Sequence, residues 1–239
     1  YDAFGIKPTI DDETARQFML GLIDETYHNP ISELEKVFGV TFKATDEEIE
    51  IKQNENLGKL AFDKIAKIQE LTNKAPDRKK IQEAVQQYAE KQFTKEGNQD
   101  HSWKGLKKIL EQFSVSIPED QILSFYRRSV EGESVDTTKI KELNELFGLH
   151  MPAGLAQISY KRLIQKGGYI SALESVHQLS GGVKPDLSAE EIYAFNLALL
   201  ENGYTSSIEK LAKITGISMP FKPEDILALY KKLILGGKA

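Results

Sequence analysis

A helix-stopping residue returns along this chain at a nearly constant interval. Gly216, Gly182, Gly148 and Ser114 stand 34 residues apart, a single step of 41 reaches Asn73, and two further steps of 34 reach Gly39 and Gly5. Glycine and asparagine are the residues that most easily take the left-handed conformation closing a helix C-terminus. The residue after each stop is Ile217, Val183, Leu149, Val115, Lys74, Val40 or Ile6, and two further on come Met219, Pro185, Met151, Ile117, Pro76, Phe42 and Pro8. An aliphatic there can fold beneath the helix end, and a proline forbids continuation. A second ladder, Tyr126, Tyr160, Phe195 and Tyr230, keeps the same register within apolar runs and is expected in the core. A period of 20 to 50 residues is the signature of a solenoid or array.

The expected fold is therefore all-α: a right-handed superhelix of about six two-helix repeats. The repeats fall at about 9–42, 43–76, 77–117, 118–151, 152–185 and 186–219, with a half repeat at 220–239, all within one helical-repeat domain cut from a longer protein. Second helices begin near Asp136, Ser171 and Ser206. Thr45 with Glu48, Ser171 with Glu174, and Ser206 with Glu209 fit the capping-box pattern. Asn29-Pro30 reads as a helix start. The step of 41 implies seven extra residues in the third repeat, assigned to the turn Thr94–His101.

Composition narrows the function. Of 239 residues, 28% are charged and 40% hydrophobic, which suits amphipathic helices with one buried face. No apolar run approaches the roughly 20 residues of a membrane-spanning helix. The chain has no cysteine, which excludes thiolate chemistry and favours the cytoplasm. The net charge of −5 is not that of a strongly basic nucleic-acid binder. His28, His101, His150 and His177 form no metal-ligand spacing. No phosphate loop or nucleophile elbow is present. No catalytic residue, cofactor, metal or small-molecule substrate is expected.

The segment from Gly167-Gly168-Tyr169-Ile170-Ser171-Ala172-Leu173 to Gly182-Val183-Lys184-Pro185 resembles the second half of a pentatricopeptide repeat. That resemblance implies paired antiparallel helices and a surface that holds a partner. Such repeats read RNA bases through a first-helix position that is often Asn, Ser or Thr, where this chain holds Ile158 and Tyr193. The tetratricopeptide family shares the period without the small-residue pattern. Tyr126-Arg127-Arg128, with the later Leu229-Tyr230-Lys231, is faintly similar to helical shells of large bacterial toxin subunits.

The sharpest surface feature is a set of basic pairs. Arg127-Arg128, Lys161-Arg162 and Lys231-Lys232 each follow the aromatic of a first helix, and Asn196-Leu197 breaks the series. The leading expectation is a non-catalytic scaffold that binds a protein or peptide at these six residues. Single-stranded RNA along a basic strip is one alternative. The regulatory arm of a larger enzyme or bacterial effector is another.

Overall fold

A computed structural model describes residues 10–24, 44–94, 102–165, 170–218 and 220–235, with the side chains of 22–24, 102 and 232–235 outside that description. Gly5, Gly39, Asn29-Pro30, the turn at 95–101, His28, His101 and Met219 lie outside the described residues. The described residues form twelve helices: α1 Asp12–Asp24, α2 Asp46–Gly58, α3 Phe62–Thr72, α4 Arg78–Thr94, α5 Ser102–Phe113, α6 Glu119–Glu131, α7 Thr137–Phe147, α8 Ala153–Gln165, α9 Ile170–Leu179, α10 Ala189–Glu201, α11 Thr205–Thr215 and α12 Pro223–Leu235. No strand occurs among the described residues, and no described helix is long and apolar enough to cross a membrane. The chain divides into two compact units, residues 1–117 and 118–239.

The helices pack as hairpins. In the first unit α2 lies on α3, α4 on α5, and α2 also touches α4. In the second unit α6 pairs with α7, α8 with α9 and α10 with α11. There α6 touches α8, while α9 touches both α7 and α11. Each unit has its own core. In the first, Ala15, Met19, Ile49 and Ile68 join α1, α2 and α3. Phe62 meets Tyr88 edge-on at 5.4 Å between ring centres, and Ile65, Val85 and Leu106 are closed from solvent. In the second, Phe125, Tyr126, Ile140, Leu143, Tyr160, Leu173 and Val176 form the buried stripe. Those positions recur every three or four residues, so each helix has one apolar face to bury.

The turns explain the regularity of the stops. All five described positions of the ladder have positive φ: Asn73 at 53°, Ser114 at 52°, Gly148 at 65°, Gly182 at 87° and Gly216 at 75°. Their amides close the preceding helix, with Gly148 N–H donating to Asn144 O and Gly216 N–H to Ala212 O, each at 2.8 Å. The extra Gly181 is left-handed too, at 71°, and its α-carbon lies over the His150 ring, where a Cβ would stand 3.3 Å away. The aliphatic after the stop is buried at Val115 but exposed at Leu149 and Ile217. The enclosed anchor sits two residues further along, at Ile117 and Met151, and Met151 N–H also binds Leu179 O at 2.9 Å.

This geometry predicts opposite signs for two substitutions. A Cβ at Gly148 meets nothing within 4 Å, so Gly148→Ala carries only the left-handed penalty and should destabilise by about 1–2 kcal/mol. Ser114 already bears that penalty, so Ser114→Gly should stabilise by about 0.5–1 kcal/mol. Urea midpoints of the two variants check both signs.

Helix starts follow local chemistry. Thr45 and Glu48 make the reciprocal capping box before α2. Ser188 and Glu191 make another before α10. Asp136 caps α7 by accepting from Lys139 N–H at 3.0 Å. The pattern at Ser206 and Glu209 is not a cap: α11 already begins at Thr205, after Tyr204, and has no side-chain cap. Ser171 likewise lies inside α9.

Candidate interaction surface

In the second unit α6 and α8 are packed neighbours with the same division of faces. On α6 the inward stripe is Phe125, Tyr126, Ser129 and Val130; on α8 it is Leu155, Ala156, Ser159 and Tyr160. Helical spacing then turns Leu123 and Arg127 outward on α6, four residues apart, and Ile158 and Lys161 outward on α8, three apart. Leu123 and Ile158 keep 37% and 41% of their surface exposed, and Arg127 and Lys161 are exposed as well. The two helices leave an open groove of about 570 Å³. Leu123, Pro152, Leu155 and Ile158 supply its apolar lining, and Arg127 and Glu131 its charges.

The six basic residues singled out from the sequence divide by role. Arg127 is exposed and has no ion-pair or hydrogen-bond partner among the described residues. The exposed Arg128 sets its guanidinium 5.2 Å from the centre of the Phe125 ring. Lys161 is exposed, and its charge reaches Glu191 at the start of α10. The Ser188 N–H donated to that carboxylate is the main cause holding Glu191 below the usual range, with Lys161 a smaller contributor. Arg162 is committed to packing: its two terminal nitrogens donate to Val130 O and Gly132 O at the end of α6. A cation suits those carbonyls both as donor and against the helix dipole. Lys231 is exposed on α12, and the Lys232 side chain lies outside the described residues.

The break in the basic series at Asn196 also has a structural cause. On α10 the buried positions are Ile192, Phe195, Asn196 and Leu199, so Asn196 faces inward where Arg127 and Lys161 face solvent. Counted from the first residue of each helix, Asn196 stands on α10 where Tyr126 stands on α6 and Tyr160 on α8, so Phe195 comes one residue early and Asn196 takes the buried place. The aromatic ladder divides as well. Tyr126, Tyr160 and Phe195 are buried, but Tyr230 on α12 is 61% exposed.

Polar links within and between hairpins are the features that the sequence reading missed. Asn144 accepts from Tyr126 Oη at 2.8 Å and donates to Leu179 O at 2.7 Å. Tyr160 Oη donates to Val183 O at 2.8 Å, and His177 Nδ1 lies 3.1 Å from the same oxygen. Gln157 donates to Lys184 O, and Gln82 donates to Ser116 O. Those two glutamines sit 27 and 34 residues before their acceptors, a difference of seven that matches the extra residues placed between them. Tyr193 Oη donates to Asp225 and accepts from Lys222 N–H. Its phenol pKa is raised, mainly by desolvation and then by Asp225. A glutamine nine residues after the preceding stop in both repeats, Gln82 after Asn73 and Gln157 after Gly148, would have been the sequence signal.

The described residues contain no group of three or more His, Asp or Glu arranged to hold a metal ion. Comparison with protein-family models, curated proteins and solved structures returns no significant match.

Proposed function

We propose that this chain is a helical-repeat scaffold that holds a protein or peptide partner and carries out no catalysis of its own. The repeat is a two-helix unit of about 34 residues, and successive units wind in a right-handed superhelix. Support for the repeat comes from the five left-handed stops in register and from hairpins that touch their neighbours through matching helices. One observation carries the binding role. On α6 and α8, large aliphatic and basic side chains stand exposed together beside a groove, although helical spacing would accommodate polar residues there at no cost to the core. Solenoids use such extended surfaces to bind partners. A cysteine-free chain of this kind suits the cytoplasm.

The test is a selection of random peptides displayed on phage against the immobilised chain, run beside a salt titration with mixed-sequence single-stranded RNA. The scaffold reading expects enriched peptides and no tight RNA binding. RNA affinity that falls steeply with salt, with no peptide enriched, would replace it with an RNA-binding role.

A further inference from the structure

We infer that the groove between α6 and α8 takes a short acidic peptide segment bearing an aliphatic side chain. The aliphatic group seats on Leu123, Leu155 and Ile158, and a neighbouring carboxylate pairs with Arg127. This rests on the scaffold reading and gives it a site and a ligand chemistry.

Charge and surface type set the occupant. The floor is aliphatic, and two of its residues, Leu123 and Ile158, are exposed enough to gain from being covered. Covering apolar surface is favourable in proportion to the area removed from water, so one seated leucine or isoleucine supplies a measurable fraction of binding. Arg127 follows Leu123 by one turn on α6, and Lys161 follows Ile158 on α8. Each helix thus presents an aliphatic residue and then a cation. Arg127 and Glu131 are the two charges of the lining, and Lys161 adds a further cation on the exposed side of α8 beyond it. A carboxylate meets Arg127 without displacing an existing partner. Arg162 holds the end of α6 against α8 and so fixes the width of the groove.

The same features disfavour a nucleic-acid strand. Sequence-tolerant strand binding needs a continued run of cations and aromatic faces on which bases stack. Here the exposed large residues are aliphatic, and the cation row ends at α10, where Asn196 turns inward. The footprint is therefore two helices wide, the size of a few peptide residues.

Peptides from the phage selection would be synthesised with a fluorophore and titrated by anisotropy at about 150 mM salt, where exposed long-range charge effects are largely screened. The expected binders carry Asp or Glu within two positions of an aliphatic residue. Arg127→Glu should weaken them by about tenfold or more. The double variant Leu123→Ser, Ile158→Ser should weaken them by about tenfold or more as well, and Lys213→Glu on α11 should leave them unchanged. All substituted residues are exposed, and circular dichroism confirms that each variant is folded. A selection that enriches nothing overturns the scaffold reading and the groove with it. Peptides lacking the acidic–aliphatic pair, or binding Arg127→Glu and the serine variant as well as the parent, overturn the groove alone. Selected peptides displaced by oligouridine would also overturn it.

Discussion

Tyr160→Ala is expected to lower the unfolding free energy by about 3–5 kcal/mol, the range for emptying a buried aromatic site. Tyr160 is fully buried on α8 and donates its hydroxyl to Val183 O. Truncation removes the ring from the core and the donor from that carbonyl together. Tyr230→Ala, in the same sequence ladder, should cost within about 0.5 kcal/mol, because Tyr230 is 61% exposed. Urea unfolding followed by circular dichroism gives both values. Equal effects would mean that sequence register, not burial, governs the row. The same tyrosines set an alkaline limit. Burial pushes the Tyr126 and Tyr160 phenols up to about 12. A raised folded-state value means that their stability contribution is complete below the unfolded value near 10 and is lost as the pH climbs through 12. Replacing both with phenylalanine should flatten that fall.

Asn144→Ala comes next in size, at about 2–4 kcal/mol. The residue joins three elements: it accepts from Tyr126 on α6, lies on α7, and donates to Leu179 at the end of α9. Without it the buried Tyr126 hydroxyl loses its acceptor, and an unmade buried hydrogen bond costs about 1–3 kcal/mol. Leu179 O keeps the Met151 N–H, which limits the damage on that side. Tyr126→Phe in the Asn144→Ala background should cost little further, since the orphaned hydroxyl goes with it. Fully additive losses would show that the pair does not act as a unit.

What the sequence made legible is local. Gly148, Gly182 and Gly216 announced left-handed turns because glycine takes positive φ without strain, and each turn is left-handed. Thr45 and Glu48 announced a cap because both partners lie within four residues. Ser206 and Glu209 carried the same letters without the role. The N-cap position falls at Tyr204, two residues earlier, and carries no side-chain cap. Longer reach was less legible. Arg162 read as a surface cation, yet it holds carbonyls at the end of the neighbouring first helix. Asn144 drew no notice, since its partner is 35 residues away. Asn196 broke the basic pattern because α10 starts so that Asn196, not Phe195, takes the buried place of Tyr126 and Tyr160, which the aromatic spacing alone conceals. The apolar groove depends on two helices lying side by side, so neither helix alone reveals it.

The central claim is that these hairpins are interchangeable units spaced by 34 residues. Removing residues 149–182 tests it most directly, because the cut takes out α8 and α9 and joins Gly148 to Val183 in the same register. The shortened chain should keep its helical content per residue and unfold in one cooperative transition. A deletion of residues 149–165, which takes out α8 alone, should abolish that transition by exposing Leu173 and Val176 of α9. Loss of cooperative unfolding in the 34-residue deletion, to the same extent as in the shorter one, would contradict the claim.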